Sequence, residues 1–225
     1  MHLRIPYLDK APMELQQRGF LDKIPWDLLP PHRCLPYHGN SLTYPTFFRI
    51  GYSKFGLFVK IECIDSRIST NYMTDFSDIF RGDVFELFLW PDTSIPVYFE
   101  YEISPLGVEL PLLVANNGGT FMGWLPWHYE EDRRIHKRVR VTGGCAVAGA
   151  SITGWIVELL LPFALLKGLK NVPPMPGTQW KGNFFRMDYD DSQIVNKWEW
   201  DPRTKGEFHQ FRKFGTLHFE GNLAV

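Results

Sequence analysis

Asp83-Val84-Phe85-Glu86-Leu87-Phe88-Leu89-Trp90 and, one turn later, Tyr98-Phe99-Glu100-Tyr101-Glu102-Ile103-Ser104 decide the fold. Side chains on a strand alternate between two faces, and both stretches repeat with a period of two. Phe85, Leu87 and Leu89 share one face while Glu86 and Phe88 share the other; Phe99, Tyr101 and Ile103 alternate with Glu100 and Glu102 in the same way. Each strand therefore has an apolar side and a side that carries carboxylates. Leu57 to Cys63 repeats the pattern, with Lys60 and Glu62 on its polar side. Further strand patterns fall at 46–51, 108–114, 137–142, 155–161, 183–189 and 215–220, with Pro and Gly between them. About nine short strands at this spacing predict an all-β fold, a two-sheet antiparallel β-sandwich of jelly-roll or immunoglobulin-like type.

One short helix is predicted over 163–169, opened by Pro162 where the missing N–H costs nothing. Residues 64–81 and 116–134 lack periodicity, and loops of that length in a compact domain are often functional. Residues 1–20 read as an N-terminal arm packed across the outside, and 21–225 as one domain. A chain of 225 residues needs no more than that.

Lys and Arg number 24 against 25 Asp and Glu, so the formal charge is −1 and no long-range field draws phosphate backbones or anionic lipid. Neither nucleic acid nor a membrane is an expected partner. The window 155–169 is broken by Glu158, Pro162 and Lys167 and is too short to cross a bilayer. The first six residues lack the basic and apolar regions of a secretion signal, so a cytoplasmic location is expected. Cys34, Cys63 and Cys145 form no metal or redox pair. Phosphate-loop, dinucleotide-binding, zinc-protease and nucleophile-elbow motifs are absent. Arg81-Gly82-Asp83 reads as a turn running into a strand.

Chemistry must then come from acids and rings. Glu86, Glu100, Glu102 and Glu158 lie inside strand patterns, as does Arg186, and acids there are uncommon unless paired or solvated. They either accept hydrogen bonds from sugar hydroxyls or pair with Arg186 across the sheet, and for Glu158 pairing is favoured. Aromatic residues make up 16% of the chain, more than a core alone demands. Phe80, Trp124, Trp127, Trp198, Trp200, Phe208 and Phe211 stand in or beside loops. A pyranose presents apolar C–H faces ringed by hydroxyls, so a flat ring beside fixed polar groups suits it; alternatively these rings fill the ends of the fold.

Phe80 to Leu89 followed by Tyr98 to Gly107 resembles the central hairpin of family 9 carbohydrate-binding modules. Gly154-Trp155-Ile156-Val157-Glu158, Trp180 to Arg186, Trp200-Asp201-Pro202 to Phe208-His209 and Phe214-Gly215-Thr216-Leu217 are similar to later pieces of that family. The resemblance runs over roughly 21–220. It implies a β-sandwich that grips a sugar between two loop tryptophans, whose positions correspond here to Phe80 and Phe208. Glu86 matches a sugar-binding carboxylate of the family, Glu102 stands at its binding arginine, and its binding asparagine falls near Lys205. Arg186 and Trp124 are nominated as substitutes. The resemblance also implies calcium as a structural ion, for which Asp65, Asp75, Asp78, Glu130 and Glu131 offer oxygens, although their spacing is not that of a dedicated calcium loop. A haem-binding relative of the sandwich points to His128, Met73 and Met122.

The leading expectation is non-catalytic binding of an oligosaccharide or polysaccharide through Phe80, Glu86, Glu102, Trp124, Arg186, Lys205 and Phe208. A glycoside hydrolase using two strand carboxylates about 5 to 9 Å apart is the alternative, and a haem carrier the third. Surface aromatics in this number also suit pairing into a homodimer.

Overall fold

The computed structural model describes residues 1–9, 19–37, 44–127, 130–191 and 194–222. Among these, thirteen strands carry the fold: β1 (His2–Tyr7), β2 (His32–Pro36), β3 (Thr46–Tyr52), β4 (Gly56–Ile64), β5 (Val84–Trp90), β6 (Val97–Ile103), β7 (Glu109–Asn117), β8 (Thr120–Pro126), β9 (His136–Thr142), β10 (Gly154–Pro162), β11 (Gln179–Asp191), β12 (Ile194–Glu199) and β13 (Gly215–Asn222). The class is all-β. Among the described residues helix occurs only as 3-10 turns, and the predicted short helix is one of them, Phe163–Leu166. Four residues are too few to propagate an α-helix.

The strands are hydrogen-bonded along one continuous path, β8-β7-β6-β5-β11-β12-β2-β3-β4-β10-β9, rather than in two separate groups. β11 is the branch point. Its first residues pair with β13 and its later ones with β12, while β5 runs along its other edge. β1 lies parallel to β13 and touches β3 at Tyr7 and Tyr52, which closes a ring through β11, β12, β2, β3, β1 and β13. Gly182 allows the branch: it faces both Leu89 and Gly215, and a Cβ there would stand 2.7 Å from the Phe88 carbonyl and from a Leu217 methyl. The first residues are thus part of the ring, with Leu3 and Ile5 buried, where the sequence suggests an outer arm.

Three apolar clusters organise the packing. The largest joins Phe48, Val59 and Trp155 of one arm of the sheet to Phe85, Phe99 and Phe184 of the other. A second lies on the opposite face of β5, β6 and β11 and contains Phe88, Tyr98, Leu112, Phe185, Phe211 and Phe214. The third, including Phe20, Ile24 and Trp26, covers Phe58 and Leu160. All seven residues of β5 are consequently buried, so its carboxylate side is roofed over as well as its apolar side.

Of the two aperiodic stretches, 64–81 stays irregular and ends in the 3-10 turn Ile79–Arg81. The other contains a hairpin. β7 and β8 meet at Gly118-Gly119, both with positive φ (67° and 107°), as a tight two-residue turn requires.

Candidate functional site

The register of the β5–β6 hairpin sets three glutamates on one face. Glu86 stands directly opposite Glu102, and Glu100 opposite Phe88. That face turns toward the second apolar cluster, where the strands leave a cavity of about 270 Å³. Phe80 reaches it from the 3-10 turn before β5, Leu112 from β7, Phe121 and Trp124 from β8, Met187 from β11, and Phe208 and His209 from the loop before β13. The rings are held differently. Phe208 stacks on Phe185 with centroids 4.0 Å apart and 18° between planes, and the Lys197 ammonium lies 5.4 Å from its centroid. The Arg81 guanidinium covers Phe80 at 5.3 Å, and Phe121 packs on His209 at 4.7 Å. Trp124 remains 39% exposed.

The acids are almost fully enclosed: Glu86 is 2%, Glu100 4% and Glu102 1% exposed. Burial pushes Glu86 and Glu102 well above the ordinary carboxyl range, and the neighbouring carboxylates push them further. Lys197 opposes this at Glu86. Burial raises Glu100 to about 7, partly offset by its hydrogen bond with Glu102. One oxygen of each, Oε2, is buried with no hydrogen-bond partner. His209 Nδ1 lies 2.7 Å from the Tyr98 hydroxyl and 4.0 Å from Glu100 Oε2, but burial lowers the imidazole to about 4, so it faces the acids uncharged at neutral pH.

Of the seven residues nominated from sequence, Phe80, Glu86, Glu102, Trp124 and Phe208 line this cavity. Arg186 does not. It follows Phe185 on β11 and therefore points to the other face, where it is fully buried. There it donates to Asp65 (2.9 Å), Asp188 (2.8 Å), the Ile64 carbonyl (2.7 Å) and Thr46 Oγ1 (3.0 Å), with its guanidinium 4.8 Å from the Trp198 ring. Pairing is its role, with aspartates rather than strand glutamates. Lys205 is exposed in the turn after Pro202–Thr204 and is outside the cavity lining. Glu158 pairs with Arg138 and Arg140.

Trp198, Trp200 and Phe211 are core, and the Trp127 indole is tied to the Leu165 carbonyl. Met73 and Met122 are exposed, and His128 lies outside the described residues. Sequence reading left out Phe121, His209, Met187, Leu112 and Lys197. Only His209 carried a signal, through its place beside Phe208.

Asp65, Asp83 and Asp190 bring carboxylate oxygens within 4.8 Å of one another. Burial and mutual repulsion raise Asp65 to about 6 and Asp83 to about 7. Three carboxylates at this spacing are oxygen donors of the kind a hard cation such as calcium takes, but each already accepts hydrogen bonds within the protein: Asp65 from Trp155 and Arg186, Asp83 from Ser69 and Tyr189, and Asp190 from Ser66 and Ser69. Of the oxygens expected from sequence only Asp65 belongs to this group. Asp75 and Asp78 pair instead with Lys137 and Arg81, and Glu130 and Glu131 belong to the distant Glu131–Arg133 turn. Among the described residues no helix is long and apolar enough to cross a membrane.

No protein-family model matches the sequence, and no curated protein is similar to it in sequence. Solved structures are similar in fold. A candidate carbohydrate-binding protein from Bacteroides uniformis superposes with a TM-score of 0.70 at 15% identity, over 97% of this chain and 99% of the other. A family 9 carbohydrate-binding module from Caldicellulosiruptor kristjanssonii, solved with cellotriose and with glucose, superposes with a TM-score of 0.61 at 12% identity, over 100% of this chain and 97% and 98% of the others. The fold is that of the family 9 modules.

Proposed function

We propose that the protein binds carbohydrate without cleaving it, holding a saccharide in the cavity between Phe80, Trp124 and Phe208 with Glu86, Glu100 and Glu102 at its floor. The observation that carries this reading is the convergence of five sequence-nominated residues on one cavity, in a fold whose family 9 relative was solved with glucose and cellotriose. The rings offer the apolar shelf that sugar C–H faces need, and buried carboxyls give oriented polar anchors. A cavity of about 270 Å³ is at the small end of ligand sites and suits a terminal sugar ring rather than a long chain. The hydrolase alternative needs carboxyls about 5 to 9 Å apart across a bond. Measured turnover of an aryl glycoside would favour that alternative over binding alone. Calorimetric titration with glucose and cellotriose tests the reading: saturable binding is expected, weakened at least about tenfold by Phe208→Ala, a loss typical of removing a stacked ring. Binding indifferent to Phe208→Ala places the sugar elsewhere.

A further inference from the structure

The floor of the cavity holds more acid than a neutral sugar can use. Glu100 Oε2 and Glu102 Oε2 are buried without a hydrogen-bond partner, and Glu86 faces Glu102 directly across the hairpin. Native proteins rarely leave buried polar atoms unsatisfied, so these two oxygens mark where a donor belongs. Among the described residues, cationic groups around them are few and peripheral. Arg81 lies over Phe80 and Lys197 over Phe208, and His209 is neutral at physiological pH. The remaining titratable neighbours, Tyr98, Tyr189 and Asp78, bring no positive charge.

Taking the sugar-binding reading as its basis, we infer that the cavity selects a saccharide carrying a protonated amine, an amino sugar of the glucosamine type, over its neutral counterpart. A hydroxyl satisfies one lone pair but does nothing to offset the repulsion that builds among these carboxyls as they ionise. An ammonium carries three N–H donors and a full charge, so it satisfies both orphan oxygens and offsets the repulsion at once. Phe121, Trp124 and Phe208 line the same space, and an ammonium over the face of an aromatic ring gains cation–π attraction. A quaternary ammonium would use the rings but has no N–H for the two oxygens. An N-acetylated sugar has lost the charge.

The proton balance follows from the raised carboxyls. The amine arrives as –NH₃⁺, a buried carboxylic acid gives its proton to the buffer, and the carboxylate–ammonium pair remains. Binding of an amino sugar must therefore release protons, and binding of a neutral sugar need not. The test is calorimetry at pH about 6.5, where glucosamine is largely protonated, with cellotriose and with glucosamine and N-acetylglucosamine trimers of the same linkage, in two buffers of different ionisation enthalpy. The glucosamine trimer is expected to bind at least about tenfold tighter than either neutral trimer and to release a fraction of a proton to one proton. Glu100→Gln/Glu102→Gln, which keeps shape and relieves repulsion, should bring that ratio close to one and abolish the release. Equal or tighter binding of cellotriose, or amino-sugar binding without proton release, overturns the inference and leaves sugar binding standing. Silence from all three trimers removes the sugar-binding reading itself and this inference with it. Should the double variant fail to fold, the preference and proton release of the unaltered protein still decide.

Discussion

Glu102 shows what the period of two reveals and what it hides. Alternation in Tyr98 to Ser104 was enough to put it on one face with Glu100, because parity fixes which residues of a strand share a face, while its place opposite Glu86 came only with the register of the hairpin. It was not enough to show that this face is roofed, since the roof comes from Phe208, Phe211 and Phe214, more than a hundred residues away. Arg186 went astray for the same reason: Phe184 and Phe185 are both buried, so the strand has no polar face to betray its sidedness. Burial of Glu102 has a thermodynamic consequence. A carboxyl raised in the folded state binds its proton more tightly there than in the unfolded chain, so its contribution is most favourable below the unfolded value, ~4.3, and falls as pH rises through the folded value. For Glu100 that loss is centred between about 4.5 and about 7. His209, lowered to about 4, acts in the opposite sense between its folded value and ~6.5. Comparing a variant with the parent isolates the acids. Glu102→Gln is expected to stabilise the protein at pH ~8 by on the order of 1–2 kcal/mol, with the gain shrinking toward pH ~5. Thermal unfolding across that range checks it, and a gain that grows toward acid pH contradicts it.

At the scale of elements, the hairpin of β7 and β8 and the loop before β13 form two rims of one cavity, and one buried side chain hydrogen-bonds to both. Asn116 is buried at the end of β7. Its amide donates to the His209 carbonyl at 2.8 Å, and its oxygen accepts from Gly119 N in the tight turn at 2.9 Å. Asn116→Ala should cost ~1–3 kcal/mol of stability, because it leaves a buried carbonyl and a turn N–H unpaired. It should weaken sugar binding as well, although Asn116 is not among the cavity-lining residues, since Trp124 and Phe208 lose their common anchor. Calorimetry together with amide exchange at Gly119 and Gln210 reads both effects; unchanged affinity would separate the rims. β8 was illegible in the sequence because nearly all its residues are exposed, so no apolar alternation marks it. The Asn-Gly-Gly turn was the available signal, and it reads as a loop until a second strand is known to follow.

At the scale of the whole molecule, strand patterns were largely readable and strand pairing was not. The ring closes where His2 to Ile5 lie against Thr216 to Phe219, a parallel contact spanning nearly the whole chain. No local pattern can announce such a partner. Arg186 makes a second long-range tie, on the face turned away from the cavity. From β11 it reaches Thr46 at the start of β3 and Ile64 and Asp65 at the end of β4, so one guanidinium ties the branch strand to both. Desolvating that charge is costly, and the aspartates offset the cost only while it is present. Arg186→Ala should therefore destabilise the protein by ~3–5 kcal/mol, leaving Asp65 and Asp188 buried without their cation, whereas Arg186→Met, which fills the volume but also strands the acids, should recover only part of the loss. Because Arg186 faces away from the cavity, the molecules of either variant that remain folded should bind saccharide with the parent's affinity. Chemical denaturation combined with titration below the unfolding transition separates the two quantities. A large fall in affinity with little loss of stability would return Arg186 to the ligand, as its place in the sequence first suggested.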